Sequence, residues 1–295
     1  MTAANLVRAF AEPDDLDLEV TLLQPHIGAE IGGIDLREKL TPPLRDAIRG
    51  LLLKHKVIFF RDQDITAEQQ IAFGRQFGEL EVHPFIRTES GHPEIQPVYA
   101  QPLHGKPKPA GGYGRADHWH TDTSWRLTPS LGAILRAVDV PPVGGDTIWV
   151  NAAAAYDLLP QAVKDRIDNL YAIHDAGELK ALSSPEKAAE VRRSNPIVAH
   201  PVVRTHPETG EKSLYLNDML TTQIIGLETK AESDELIQFL LRQFLRPEIQ
   251  VRFKWRKHSI AFWDNRCTVH YAVNDYGDYP RRMERVAIVG DRPFH

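Results

Sequence analysis

Apolar side chains recur at helical spacing at Leu44, Ile48, Leu51 and Leu52, which predicts a helix over about 42–55. The run Lys56-Val57-Ile58-Phe59-Phe60 that follows is apolar on both faces and reads as a buried strand. Upstream, 18–23 and 27–33 read as strand, turn and strand, with Gly28, Gly32 and Gly33 where the backbone must bend or approach a neighbour closely. Thr66 with Gln69 three residues on has the form of a capping box, opening a second helix through Phe73 to about residue 77.

Further along, the period shortens towards two. Residues 118–125, 131–140 and 147–150 read as strands, with the turn Pro141-Pro142-Val143-Gly144-Gly145 between the last two. Asn151 is placed to cap an alanine-rich helix that is interrupted or restarted at Pro160. The polar stretch 176–196 carries no clear period, whereas 199–205 and 213–217 flank Pro207-Glu208-Thr209-Gly210-Glu211 like the arms of a hairpin. A last helix is predicted over about 233–245, followed by short strands at 250–255, 259–264, 268–273 and 282–289.

Many short strands with a few helices outside predict a mainly β chain with flanking helices, built on a double-stranded β-helix (jelly-roll, cupin-like) core rather than a parallel α/β sheet. Neither a repeat nor a linker divides it, so one domain over 1–295 is expected. Residues 101–116 are too rich in proline and glycine for a helix or a central strand, and are expected to form a lid loop.

With 42% hydrophobic and 25% charged residues the chain can bury a substantial core. Its net charge of -5 and pI near 6.2 come from mixed acids and bases, which leaves no electrostatic footprint for nucleic acid or an anionic membrane. The N-terminal sequence lacks the apolar core of a secretory signal, so a soluble, cytoplasmic protein is expected. Cys267 is the sole cysteine, which excludes an intrachain disulfide and a thiolate cluster. Any metal must be held by histidine and carboxylate.

Asp117-His118-Trp119-His120-Thr121-Asp122-Thr123 alternates polar side chains, so that on a strand His118, His120 and Asp122 share a face. A His-x-Asp triplet alone is common, and its ordinary explanation is a polar face bonded to neighbours. The apolar segment Phe262-Trp263-Asp264, turning at Asn265-Arg266 towards His270, adds a second imidazole. Two imidazoles and one carboxylate occupy one face of an octahedron and leave three positions open, as an iron(II) oxygenase requires. Downstream, Arg281, Met283 and Arg285 share a strand face, and arginine's planar donors match the paired oxygens of a carboxylate or sulfonate. The competing explanation is a surface strand paired with Asp278 or Glu284.

Trp-His-Thr-Asp (119–122), Gly-Gly-Asp-Thr-Ile-Trp (144–149), His-Pro-Val-Val-Arg-Thr-His-Pro (200–207), Trp-Asp-Asn-Arg (263–266), His-Tyr-Ala (270–272) and Arg-x-x-x-Arg (281–285) together resemble the taurine/2-oxoglutarate dioxygenase family over nearly the whole chain. The resemblance implies an Fe(II) enzyme with 2-oxoglutarate and O2 as co-substrates. It implies that His120, Asp122 and His270 hold the iron and that Thr147 and Arg281 hold the distal carboxylate of 2-oxoglutarate. His83 and Arg285 match positions that bind the sulfonate of taurine, and Thr123 and Trp263 are placed with them at the substrate. A core tryptophan is equally compatible with Trp263. His118 is read as lining the pocket beside the ligands.

The positions that would meet taurine's amine depart from the family pattern: Ile86 stands for a tyrosine, and Arg115-Ala116 for an acidic residue and an asparagine. Arg115 and Lys180 would repel an amine. The expected substrate is therefore a small organic anion, an alkyl sulfonate or sulfate ester. Hydroxylation beside sulfur or the ester oxygen would release sulfite or sulfate plus an aldehyde, with succinate and CO2 as co-products. Taurine itself or an aryloxy carboxylate is the alternative substrate. A non-catalytic cupin-like binding protein and a zinc hydrolase are the alternative classes. The expected assembly is a homo-oligomer, dimer or tetramer.

Overall fold

Local sequence starts the first helices. In the computed structural model, which describes residues 16–82, 91–100, 117–178 and 184–295, the Thr41 hydroxyl accepts from Leu44 N and opens α1 (Pro42–His55). Its apolar stripe, Ala47, Ile48, Leu51 and Leu52, is buried. At α2 (Ala67–Arg75) the capping box closes both ways: Gln69 N donates to Thr66 Oγ1 at 3.2 Å, and Thr66 N to Gln69 Oε1 at 2.8 Å. The helix stops two residues short of the expected end.

In chain order the strands are β1 (Glu19–Leu22), β2 (Ala29–Gly32), β3 (Val57–Phe60), β4 (Gln96–Ala100), β5 (Gly132–Asp139), β6 (Thr147–Asn151), β7 (Tyr171–His174), β8 (Val198–Pro201), β9 (Val203–Thr205), β10 (Lys212–Leu214), β11 (Thr221–Ile225), β12 (Gln250–Phe253), β13 (Ile260–Asp264), β14 (Thr268–Ala272) and β15 (Arg281–Ile288). Seven form a major sheet in the order β1-β2-β3-β13-β5-β15-β4, antiparallel except between β2 and β3. A minor sheet, β12-β6-β14, packs against it. The sheets β11-β7-β8 and β10-β9 lie outside, with α3 (Ala152–Asp157), α4 (Gln161–Ile167), α5 (Pro185–Ser194) and α6 (Lys230–Arg242).

Strand alternation sorts the core into layers. Val57, Phe59, Ala133, Leu135, Ala261, Trp263, Met283 and Ala287 face the minor sheet, where they meet Trp149, Val251 and Phe253. The Phe59 and Phe253 rings stack with centroids 3.9 Å apart. The intervening residues Ile58, Phe60, Ile134, Ile260, Phe262, Val286 and Ile288 point the other way, onto α1 and α2. Both faces of the major sheet are therefore covered, and each large side chain buried there contributes roughly 1.5–3 kcal/mol. Truncating Phe59 would open a cavity between the sheets at a cost of about 3–5 kcal/mol. This double-sheet core with helices outside is the mainly β, jelly-roll architecture expected from the strand pattern. Among the described residues, no helix is long and apolar enough to cross a membrane.

Three expectations need correction. Residues 118–125 do not form a strand: only His120 makes a bridge, to His270, and the chain turns over 122–125 with Thr123 at φ 52°. The expected strand 199–205 is two strands in different sheets, split where Val202 N donates to Leu170 O at 2.8 Å, so that β9 and β10 alone form the hairpin. The unassigned stretch 176–196 contains α5, capped by Ser184. The expected lid at 101–116 lies outside the described residues.

Candidate metal centre

His270 sits on β14 opposite Trp149 of β6, which turns both side chains towards the space between the sheets. The preceding β13–β14 turn holds the second ligand segment. Fully buried Asn265 accepts from Asp122 N at 2.8 Å and donates to Asp122 O at 2.8 Å and to Ser130 O at 3.2 Å, and its own carbonyl accepts from Thr121 Oγ1 at 2.7 Å. His120 is fixed by reciprocal backbone bonds with His270, at 3.1 and 2.8 Å. Backbone pairing and one asparagine thus replace the strand that alternation predicted.

The imidazoles of His120 and His270 lie with ring centroids 4.0 Å apart, and their Nε2 atoms are 4.0 and 3.9 Å from Asp122 Oδ1. One donor atom from each residue falls within 4.8 Å of the others. His120 Nδ1 faces His118 O at 2.8 Å and so carries the hydrogen, which leaves Nε2 with its lone pair directed into the site. Burial pushes both imidazoles below the usual histidine range, so they are neutral at pH 7. Burial opposes ionisation of Asp122, but the Arg285 guanidinium beside it outweighs that penalty and lowers the carboxyl to about 2. Asp122 Oδ2 is buried with no hydrogen-bond partner. Two neutral nitrogens and an ionised carboxylate with an unused oxygen fit a divalent first-row metal.

A second cluster, His206, Asp264 and Cys267, does not fit one. Arg266 bonds both oxygens of Asp264, at 2.9 and 2.6 Å, and His206 Nε2 takes Oδ2 at 3.0 Å. Burial pushes the Cys267 thiol far up, so it is protonated. This buried network braces the turn that carries Asn265.

Of the resemblance's remaining positions, Arg281, Arg285, Thr147, Trp263 and Thr123 are among the described residues. Arg285 of β15 donates through Nη1 to Asp122 Oδ1 at 2.6 Å. Arg281, four residues earlier on the same face, is buried and bonds through Nε to Gly145 O at 3.1 Å. It makes no ion pair with a carboxylate among the described residues, and burial lowers its pKa. Gly145, at φ 72°, lies flat against it; a Cβ there would come within 3.2 Å of Arg281 Cδ. Thr147 lies on the inner face of β6, its Oγ1 accepting from Trp255 Nε1 at 3.0 Å.

Trp263 is buried against His270, with centroids 5.1 Å apart. It supports the imidazole from behind. Thr123 is buried and its hydroxyl is engaged with Ser130, at 2.7 Å to Oγ and 2.8 Å from N, which braces the turn. His118 is not one of the clustered donors; its carbonyl orients His120. His83, Ile86, Arg115, Ala116 and Lys180 lie outside the described residues.

Two residues were not read from the sequence. Asn265 stood in the quoted Trp-Asp-Asn-Arg string with no role assigned to it. Gln96, on β4 directly opposite Arg285, gave no signal at all.

Known proteins resemble this chain over nearly its whole length. The chain is 38% identical over 290 residues to an alpha-ketoglutarate-dependent sulfate ester dioxygenase of Pseudomonas putida, covering 95% of this chain and 92% of that one. It is 35% identical over 291 residues to an alkylsulfatase of Acinetobacter baylyi, covering 96% and 88%. A crystal structure of a taurine dioxygenase from Burkholderia xenovorans superimposes with a TM-score of 0.79 at 39% identity, covering 94% of this chain and 90% of that one. A crystal structure of AAD-2 in complex with Mn(II) and N-oxalylglycine superimposes with a TM-score of 0.78 at 30% identity, covering 94% and 98%. Residues 19–287 match the family described as taurine catabolism dioxygenase TauD, TfdA family, and the chain belongs to it.

Proposed function

We propose that the protein is an Fe(II)- and 2-oxoglutarate-dependent dioxygenase that cleaves small alkyl sulfate esters, with His120, Asp122 and His270 as the metal ligands. The observation that carries the reading is the pairing of this donor cluster with Arg281 and Arg285 on one face of β15. Arg281 is a buried cation without a carboxylate partner among the described residues, which suits the far carboxylate of a 2-oxo acid. N-oxalylglycine, found in one structural neighbour, is 2-oxoglutarate with an NH in place of a CH2. The relatives named for sulfate esters and alkyl sulfates support the substrate class.

Bound Fe(II) would supply O2 activation coupled to oxidative decarboxylation of 2-oxoglutarate, giving succinate and CO2. The chain's residues do the rest. Arg281, with the Thr147 hydroxyl, fixes the co-substrate's distal end, and Arg285 takes the sulfate group. That places the adjacent C–H bond near the open side of the triad, and the walls formed by Trp263 and Trp149 exclude water. Insertion of one oxygen atom into that C–H bond gives a carbon bearing both hydroxyl and sulfate ester. Loss of the hydroxyl proton then forms the aldehyde as the C–O bond to sulfate breaks.

A ferrous cofactor suits the reducing conditions of the cytoplasm. The test is stoichiometry with hexyl sulfate: equal yields of succinate, sulfate and hexanal, each requiring O2, with slower turnover of taurine. Sulfate release without O2 would instead reveal a hydrolase, and would end this reading.

A further inference from the structure

Arg285 is held differently from most of the buried or half-buried arginines, and differently from Arg281, which bonds a backbone carbonyl. Arg204, Arg266, Arg61 and Arg192 each pair with a carboxylate outside the metal centre, at 2.6 to 2.8 Å. Arg285 is instead gripped by a neutral amide. Gln96 Oε1 accepts from Arg285 Nε at 3.1 Å and from Nη2 at 2.7 Å, across the β4–β15 register that sets the two residues opposite each other. Gln96 is fully buried, so neither bond competes with water. Among the described residues, the one carboxylate that Arg285 pairs with is Asp122.

We infer that Gln96 is the positioning residue that aims Arg285 at the substrate's anionic group while leaving its charge intact, and that it thereby sets the preference for fully ionised sulfate esters. The inference rests on the function proposed above. The amide fixes the rim of the guanidinium formed by Nε and Nη2, so the plane has one orientation and Nη1 is directed at the metal cluster. A carboxylate at this place would fix the same rim but neutralise Arg285, and would repel the incoming anion. An apolar side chain would leave two buried N–H groups without an acceptor and let the arginine turn away. Gln96 does not touch the substrate; it acts through Arg285.

The test compares Gln96→Glu and the near-isosteric Gln96→Met in the full-length enzyme loaded with Fe(II), assayed by sulfate release from hexyl sulfate. KM for hexyl sulfate is expected to rise about tenfold or more in Gln96→Glu and about fivefold in Gln96→Met. KM for 2-oxoglutarate should stay within twofold, and kcat at saturating sulfate ester within threefold. The inference is overturned if both variants bind hexyl sulfate as the parent does. It is equally overturned if KM for 2-oxoglutarate rises by the same factor as KM for hexyl sulfate, since that is the mark of general damage to the pocket. Arg285→Met separates this from the underlying proposal. If it weakens hexyl sulfate binding while the Gln96 variants do not, only the inference falls. If wild-type enzyme releases no sulfate, the substrate reading falls with it.

Discussion

Arg285 Nη1 donates to Asp122 Oδ1 at 2.6 Å, joining strand β15 to a turn 163 positions earlier in the chain. The contact ties the two halves of the proposed chemistry together, because the group that would take the substrate anion also holds the proposed metal-ligand carboxylate ionised.

Replacing Arg285 with methionine keeps the stem and removes the fork. A hydrogen bond to a charged group contributes roughly 1.5–3 kcal/mol, so KM for hexyl sulfate should rise about 10- to 100-fold. Steady-state kinetics at saturating 2-oxoglutarate measures this. An unchanged KM would remove Arg285 from the substrate site.

Arg281→Met should act on the other ligand. KM for 2-oxoglutarate is expected to rise by about 10- to 100-fold on the same magnitude, with KM for hexyl sulfate within threefold. The same split should appear anaerobically, as a weakened visible absorption on adding 2-oxoglutarate to the Fe(II) protein. A shift in both constants together would argue against separate roles for the two arginines.

How much of this was legible in sequence depended on distance. Helix α1 and the capping box at Thr66 are local patterns, and they appear as read. The strands β3 and β13 announce themselves because both faces are buried, which makes them continuous apolar runs. Alternation failed at 118–125 because side chains can alternate without a strand: Asn265, 143 positions away, takes the backbone bonds that a neighbouring strand would have taken. Helix α5 was hidden because Val191 is its only buried residue, so it carries no apolar stripe. The candidate ligands were legible because donor chemistry is written in residue type. Gln96 was not, since its role comes from a strand register with a partner 189 positions on.

Asn265→Ala should be costly without touching substrate. It leaves the backbone of Asp122 and the carbonyl of Ser130 buried without partners, which predicts a loss of about 2–4 kcal/mol. Urea unfolding in the presence of a chelator measures this with the metal contribution removed. A loss below about 1 kcal/mol would show that the turn holds itself.

Stability should also depend on pH through His200. This imidazole is buried against the Arg126 carbonyl, Nε2 to O 2.9 Å, and burial holds its pKa at about 4, below the unfolded value near 6.5. Between those values the unfolded chain binds the proton and the folded one does not. Stability is therefore fully present above pH 6.5 and falls as pH drops towards 4, by about 3 kcal/mol for this one group. In His200→Gln the drop between pH 6.5 and pH 4.5 should be smaller by about 2–3 kcal/mol. Parallel stability–pH curves for the two proteins would refute the assignment.

The reciprocal backbone bonds between His120 and His270 give the site a property that neither imidazole has alone. A ligand set gathered from distant parts of a flexible chain would have to be ordered by the ion itself, and part of the binding free energy would go into that ordering. Here two of the three donors are already registered as rungs of one ladder, with the third clamped by Asn265. The polypeptide is in effect a finished socket. A metal held there would leave and return without the fold having to follow, and selectivity among competing ions would fall to coordination geometry and cellular supply rather than to induced folding.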